Sequence, residues 1–143
     1  MKQVNVAVAG ASGRMGRMLI EAALGDDGVA LAAAFDRPGE AFIGRDAGES
    51  IGAESGILIG VDARAAIASA DCVIDFTRPE GTLAHLALAR ELGCGMVIGT
   101  TGFSAEHKAE IAAAAAHIPI VFAPNMAVGV NAVFRLLEVA AGI

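Results

Sequence analysis

Short aliphatic runs alternate with segments of helical periodicity along this chain of 143 residues. The first run, Val4–Ala9, is apolar except at Asn5, which is typical of a strand buried on both faces of a sheet. In the next segment, Arg14–Leu24, apolar side chains recur at nearly the period of an α-helix. This alternation predicts an α/β fold built around a parallel sheet.

The rest of the chain continues the alternation. Val29–Phe35 is predicted to be a second buried strand, and the glycine-rich segment Asp36–Gly60 is predicted to be mostly irregular, with a short strand at Ile57–Ile59. Further strands are predicted at Cys72–Phe76, Met96–Ile98 and Ile120–Phe122, and helices at Ala63–Ser69, Glu80–Leu92, Ala105–Ala116 and Val130–Val139. The order predicts a Rossmann-like, doubly wound parallel sheet with helices on both faces.

Composition excludes several classes of partner. The net charge is −6 and no basic stripe is visible, so no nucleic-acid surface is expected. No apolar stretch approaches the roughly 20 residues of a membrane-spanning helix, and the first residues show no targeting pattern, which together predict a cytoplasmic protein. Cys72 and Cys94 match no metal-ligand spacing and are interpreted as buried thiols in a reducing compartment; no metal site is expected.

Three glycines lie at the junction of the first predicted strand and the first predicted helix. Gly10, Gly13 and Gly16 have the spacing G-x-x-G-x-x-G, a variant of the dinucleotide-binding fingerprint. In that motif Gly10 allows a tight turn, Gly13 lets the backbone approach a pyrophosphate, and Gly16 lets helix and strand pack closely. The N–H groups and the dipole at the start of the helix would then face the anion. A glycine-rich turn without a ligand is the alternative.

An acidic residue follows at the distance that the fingerprint requires. Asp36 stands 20 residues after Gly16, at the end of the second predicted strand. Its carboxylate is expected to accept hydrogen bonds from an adenosine ribose. Arg37 is expected to pair with a 2′-phosphate and to lie over the adenine, so that the pair predicts use of both NADH and NADPH. The alternative is a solvated Asp–Arg turn.

Three loops follow the carboxyl ends of later predicted strands, where ligands bind in sheets of this kind. These loops, Phe76–Thr82, Gly99–Phe103 and Ala123–Ala127, are rich in hydroxyl groups, glycine or an amide. They are predicted to form the floor of a nicotinamide site, with backbone groups binding the carboxamide. Ordinary strand-to-helix connections are the alternative.

No residue stands out as the acid that would protonate a substrate during reduction. His85, His107 and His117 fall within or at the end of predicted helices, and none follows a strand directly. They and Lys108 are predicted to be residues of helix surfaces rather than catalysts.

Four motifs together resemble the dihydrodipicolinate reductase (4-hydroxy-tetrahydrodipicolinate reductase) family, over Val4 to about Glu138. They are GASGRMG at Gly10–Gly16, DFTRPEGT at Asp75–Thr82, GMVIGTTGF at Gly95–Phe103 and APNMAVGVN at Ala123–Asn131. The resemblance implies reduction of 4-hydroxy-tetrahydrodipicolinate, a cyclic dicarboxylate, to tetrahydrodipicolinate by NADH or NADPH, in diaminopimelate and lysine biosynthesis. It also implies a two-domain protein that forms a homotetramer.

The resemblance also implies site residues. It implies that the pyrophosphate is bound by Gly10, Ala11, Ser12, Gly13, Arg14 and Met15. It also implies that Asp36 binds the ribose and that Arg37 binds the additional phosphate of NADP. The nicotinamide site falls to Gly99, Thr100, Thr101, Ala123, Pro124, Asn125 and Met126. Thr101 would also reach toward the substrate. The catalytic residues of the family lie in its second domain, so none is expected in this chain.

Residues 1–126 are predicted to be the dinucleotide-binding domain, and 127–143 the first helix of a truncated substrate and tetramerisation domain. The apolar stripe of Val133, Leu136, Leu137 and Ala140 ends without a helix cap, which favours a fragment that binds cofactor without turnover. One alternative is a stand-alone NAD(P) sensor that docks a partner through this helix. Another is a different oxidoreductase, such as an amino-acid or semialdehyde dehydrogenase, against which TRPEGT and GTTGF argue.

Overall fold

The computed structural model describes residues 3–142, and these contain a six-stranded sheet in which all neighbouring strands are parallel. In chain order the strands are β1 (Val4–Ala9), β2 (Val29–Phe35), β3 (Ile59–Gly60), β4 (Cys72–Asp75), β5 (Gly95–Ile98) and β6 (Ile120–Phe122). Across the sheet they lie in the order β3-β2-β1-β4-β5-β6, so that the direction of winding reverses between β1 and β4. The predicted Rossmann-like fold is confirmed.

Five α-helices lie within the described range. They are α1 (Arg14–Leu24), α2 (Ala63–Ala68), α3 (Pro79–Leu92), α4 (Ala105–Ala114) and α5 (Val128–Ala141). The bounds of β1, α1, β2 and β6 are those predicted, and α5 is two residues longer at each end. Side chains cap two of these helices, since Asp62 accepts a hydrogen bond from the N–H of Ala65 at the start of α2 and Ser104 accepts one from the N–H of His107 at the start of α4.

The two faces of the sheet carry different cores. Alternate residues of β1 point to opposite faces, so Val8 packs in one core with Ile20 of α1, and Ala7 packs in the other. The second core is the larger, and it contains Ile67 of α2 and Leu86 of α3 together with residues of α4. Helices therefore cover both faces, as predicted, and the carboxyl ends of β1, β2 and β4 remain open between them.

Residues 36–60 contain more fixed structure than the sequence predicts. The strand expected at Ile57–Ile59 lies at Ile59–Gly60, and residues 49–51 form one 3-10 turn. The carboxylate of Asp46 accepts hydrogen bonds from the N–H groups of Ser55, Gly48 and Gly56, and these bonds, that from Ser55 foremost, lower the pKa of Asp46. The segment is thus held by side-chain turn chemistry, which hydrophobic periodicity does not detect.

The two cysteines are free thiols: Cys94 is buried and Cys72 half-buried. Burial raises the pKa of the Cys94 thiol to about 11, so it stays protonated at neutral pH. In the part of the chain that the structure describes, no helix combines the length and apolar character needed to cross a membrane. Met1, Lys2 and Ile143, the outermost residues of the two predicted domains, lie outside the described residues.

Apolar side chains are exposed at one end of the sheet. β6 is an edge strand, and Phe122 is 37% exposed. All described residues of α5 are exposed, including Phe134 at 55% and Leu136 at 69%. The predicted apolar stripe of this helix therefore packs on nothing within residues 3–142.

Candidate functional site

A cleft of about 790 Å³ opens at the carboxyl ends of β1, β2 and β4. Three segments form its walls: the glycine loop after β1, the residues that follow β2, and the loop after β4 with the start of α3. Its lining residues are Gly10, Ser12, Gly13, Arg14, Met15, Gly16, Asp36, Arg37, Glu40, Val61, Ala63, Phe76, Thr77, Arg78, Glu80, Gly81 and His85. The cleft lies at the reversal of strand order, which is where ligands bind in doubly wound sheets.

The glycine loop has a shape that side chains at Gly10 and Gly16 would prevent. Gly10 has a φ of +67°, in the left-handed region. A Cβ atom on Gly16 would lie 2.2 Å from the carbonyl oxygen of Gly10 and 2.7 Å from the Cα atom of Ala11. Helix α1 therefore starts in direct contact with the loop, and its first N–H groups, from Arg14 onward, have no carbonyl one turn earlier to bond. This geometry suits an anion.

Ser12 carries an unsatisfied hydroxyl group within this loop. Its Oγ atom is buried and makes no hydrogen bond to any residue in the range 3–142. Its backbone N–H donates to Oδ2 of Asp36 at 2.9 Å. Buried hydroxyl groups are nearly always hydrogen-bonded, so an orphaned one that lines a cleft marks a place for a polar ligand atom.

Asp36 and Arg37 lie on the side of the cleft formed by the end of β2. Asp36 accepts hydrogen bonds from the N–H groups of Ser12 and of Arg37, at 2.9 and 2.8 Å. The guanidinium of Arg37 pairs with Glu40 at 2.6 Å, and this hydrogen bond raises the pKa of Arg37. Glu40, which the sequence reasoning did not single out, thus competes for the arginine.

The structure corrects the prediction for His85. Only 17% of its side chain is exposed, it lines the cleft, and its Nδ1 atom lies 2.7 Å from Oδ2 of the fully buried Asp75. Its ring also packs edge-on against Phe35, with centroids 5.0 Å apart. The sequence contained one indication of this inward position of His85: Thr82 and His85 are three residues apart and therefore lie on the same face of α3.

The loops after β5 and β6 lie outside the cleft that the described residues form. Gly99 packs against the ring of Phe76, where a Cβ atom would lie 2.0 Å from Cε1. Thr100 is buried with its hydroxyl group inward, and Thr101 is exposed. Along the last loop the Asn125 side chain accepts a hydrogen bond from the N–H of Ala127.

Apart from Ala11, the predicted site residues therefore fall into two groups. The cleft brings together Gly10, Ser12, Gly13, Arg14, Met15, Asp36 and Arg37. Ala11 is fully buried beneath the loop and bonds the carbonyl of Phe35. The described part of the cleft does not include Gly99, Thr100, Thr101, Ala123, Pro124, Asn125 or Met126.

The remaining histidines and Lys108 lie on helix surfaces or at a helix end, as predicted. His107 completes the cap of α4, and Lys108 and His117 are exposed. Within residues 3–142, no group of three or more His, Cys, Asp or Glu side chains is arranged to hold a metal ion.

Comparison with known families gives a match over most of the chain. Residues 4–126 match the family model described as dihydrodipicolinate reductase, N-terminus. The chain belongs to the dihydrodipicolinate reductase family. A 4-hydroxy-tetrahydrodipicolinate reductase of Aromatoleum aromaticum is 76% identical over 143 residues, which are all of this chain and 52% of that protein. One of Cupriavidus metallidurans is 63% identical over 138 residues, 96% of this chain and 52% of that protein.

The chain thus spans about half the length of the curated dihydrodipicolinate reductases that it matches. A dipicolinate-bound dihydrodipicolinate reductase from Paenisporosarcina sp. TG-14 has a TM-score of 0.71 at 23% identity, covering 89% of this chain and 49% of its own. GenD2 from gentamicin A biosynthesis, in complex with NAD, has a TM-score of 0.65 at 21% identity, covering 85% of this chain and 34% of its own. At these identities the two structures show the shared fold.

Proposed function

We propose that this chain is the dinucleotide-binding part of a 4-hydroxy-tetrahydrodipicolinate reductase and that its cleft holds the adenosine and pyrophosphate of NADH or NADPH. The observation that carries the proposal is the orphaned Ser12 hydroxyl in a loop that a Cβ atom on Gly16 would fill. Family membership supplies the reaction, a reduction in diaminopimelate and lysine biosynthesis. On this proposal residues 1–126 form the dinucleotide-binding domain, and 127–143 begin a substrate and tetramerisation domain.

The residues on the cleft wall fit the charges of such a ligand. The first-turn N–H groups of α1 and the Ser12 hydroxyl are donors for pyrophosphate oxygens. Each oxygen of the Asp36 carboxylate accepts one backbone N–H and keeps capacity for a ribose hydroxyl group. Arg37 supplies positive charge at the same end, for a 2′-phosphate. The proposal therefore covers both cofactors.

The nicotinamide end is proposed to lie beyond the cleft, along the next loops of the same sheet edge. It would be lined by residues of two loops, Gly99, Thr100 and Thr101 after β5 and Ala123, Pro124, Asn125 and Met126 after β6. Thr101 would also point toward the cyclic dicarboxylate substrate. The reduced nicotinamide supplies a hydride when bound. We place the proton donor outside this chain, because His107, His117 and Lys108 do not line the cleft of the described residues, and His85, which does, is bonded through Nδ1 to Asp75. A cytoplasmic homotetramer belongs to the same proposal.

Calorimetric titration of the 143-residue chain with NADH and with NADPH tests the function. We expect saturable binding of both, with NADPH the more sensitive to salt because its additional phosphate adds a charge contact that ions screen. Circular dichroism establishes that the chain is folded under the same conditions. Absence of binding by the folded chain would contradict the proposal.

Cofactor preference gives a prediction for Arg37 and Glu40. Arg37→Ala should weaken NADPH binding about tenfold and NADH binding less than about twofold, since only NADPH offers a phosphate to the guanidinium. Glu40→Gln should change the ratio the other way, about two- to threefold toward NADPH, because it releases the arginine from an exposed ion pair of modest strength. Dissociation constants at low and high salt measure both effects. Equal losses for the two cofactors in Arg37→Ala would refute the phosphate role.

A further inference from the structure

Asp75 is a buried charge at the centre of the sheet edge that forms the site. It is the last residue of β4, lies between Ala9 of β1 and Ile98 of β5, and has no exposed surface. A buried carboxylate is costly unless hydrogen bonds compensate the loss of water. The residues whose hydrogen bonds compensate the buried charge of Asp75 therefore indicate the role of this carboxylate.

Four side chains gather around this carboxylate. Its Oδ1 atom accepts the backbone N–H of Thr77 at 2.8 Å, and lies 2.6 Å from the Thr77 hydroxyl and 3.1 Å from that of Thr82. The Thr82 oxygen lies 2.8 Å from the hydroxyl oxygen of Thr100, which is itself 3.4 Å from Oδ1. The Oδ2 atom bonds His85. We call Asp75, Thr77, Thr82 and Thr100 the carboxylate cluster.

The carboxylate cluster connects two loops that are distant in the sequence. At one end, the methyl group of Thr77 fills the space beside Gly10, where a Cβ atom would come within 2.8 Å of it. At the other end, Thr100 belongs to the loop after β5, outside the cleft. A single carboxylate is thus bonded on both sides, toward the glycine loop and toward the next loop along the sheet edge.

We propose that Asp75 is a positioning residue for dinucleotide binding. Through Thr77 it fixes the glycine loop, through Thr82 and Thr100 it fixes the loop after β5, and it orients the His85 ring on the cleft wall. The two ends of an extended dinucleotide then bind two loops, the glycine loop and the loop after β5, whose relative position is already fixed. This inference rests on the proposed function, because the distance between the two loops matters only to a ligand that spans them.

The carboxylate also selects the form of His85. An ionised carboxylate only accepts hydrogen bonds, so the Nδ1 atom of His85 carries a proton and donates to Oδ2; when the ring is neutral, its Nε2 atom is then an acceptor. In Asp75→Asn, the amide oxygen can stay with the threonine hydroxyls only if the amide N–H₂ group faces His85. The ring should then reverse its tautomer and carry its proton on Nε2.

A double-mutant cycle tests the coupling between the loops. Thr77→Val and Thr100→Val each remove one hydroxyl group at nearly constant volume, and each should weaken NADH binding about five- to tenfold. If both act through Asp75, the double variant should lose clearly less than the product of the two single losses. Ser69→Ala is the control, since it removes a bonded hydroxyl on the C-terminal end of α2 and should leave NADH binding unchanged.

ADP-ribose, titrated alongside, separates the two proposals. If the wild type binds ADP-ribose and NADH while the two losses simply multiply, the coupling is overturned and the proposed function stands. If the folded wild type binds neither ligand, both proposals fail. Long-range ¹H–¹⁵N spectra of His85 give a second measurement. We expect the Nδ1–H form in the wild type and the Nε2–H form in Asp75→Asn, and one unchanged tautomer in both would overturn the orienting role.

Discussion

Gly16→Ala is expected to abolish dinucleotide binding by this chain, with a loss of about a hundredfold or more in affinity. The new methyl group would lie 2.2 Å from the Gly10 carbonyl oxygen and 2.7 Å from the Cα atom of Ala11, and both are backbone atoms that cannot move aside without displacing the loop. Overpacking of this severity should also cost about 3 kcal/mol of unfolding free energy. Calorimetric titration and urea unfolding followed by circular dichroism measure the two losses.

Gly60→Ala provides the matched control. Gly60 ends β3, its ideal Cβ position has no heavy atom within 4 Å, and its φ is not in the left-handed region. Its carbonyl accepts the N–H of Asp36 and is unaffected by the substitution. We expect wild-type affinity and stability within experimental error. Wild-type binding by Gly16→Ala would show that the close packing of α1 on the loop is not what forms the anion site.

The second large effect is expected for Asp75→Asn, which should lower the unfolding free energy at neutral pH by about 3 kcal/mol. The substitution keeps the shape of the side chain but removes the charge that His85 and three threonines surround. Hydrogen bonds from the threonine hydroxyls and the Thr77 N–H to an ionised carboxylate are stronger than those to a neutral amide oxygen, so the substitution weakens each of them. The loss should exceed that of any exposed Asp→Asn change in the chain.

The same variant carries a pH signature. Burial acts to raise the pKa of Asp75, but hydrogen bonds from His85 and Thr77 outweigh it, and the pKa lies below its usual value. A carboxyl group with a lowered pKa in the folded state stabilises the fold above its unfolded pKa of about 3.9, and that stability is lost as the pH falls through the folded value. The difference in unfolding free energy between the wild type and Asp75→Asn should therefore become smaller as the pH falls into acid.

Urea unfolding at intervals from neutral pH into acid measures this difference. Asp62→Asn is a suitable control, because it changes an exposed carboxylate at a helix N-cap into a residue that caps equally well. It should show a small effect at every pH. A difference between wild type and Asp75→Asn that stays constant into acid would mean that the Asp75 charge does not stabilise the fold.

The strands and the glycine loop were predictable because their causes are local. β1 and β2 are nearly continuous apolar runs, and a strand buried on both faces requires that pattern. Helix α1 has a glycine immediately before it and another immediately after it, so both of its ends were visible in the sequence. The position of Asp36 on the cleft wall was predictable for a similar reason, since its distance from the glycines reflects one strand–helix–strand unit.

The contacts of the site were less predictable because they depend on side chains that meet only after folding. The pairing of Asp75 with His85 joins a strand end to the second turn of a helix. Arg37 and Glu40 are only three residues apart, but they lie in an irregular segment, where no helix or strand period predicts which side chains meet. The loops after β5 and β6 illustrate a different limit. Their positions after strands correctly place them at the carboxyl edge of the sheet, but that rule does not give the distance along the edge. They lie beyond the cleft of the described residues, further from the glycine loop.

On the proposed function, the hydrogen bond between Asp36 and the N–H of Ser12 limits how the preference between NADH and NADPH can change, in evolution or in the laboratory. Replacing Asp36 to admit a 2′-phosphate would remove the acceptor that holds the backbone at Ser12, so selectivity would change together with affinity for both cofactors. Arg37 and Glu40 contact each other rather than the loop, and substitutions there leave its backbone in place. Substitutions at Arg37 and Glu40 can therefore change the preference between NADH and NADPH gradually. A substitution at Asp36 would also remove its hydrogen bond to the Ser12 N–H.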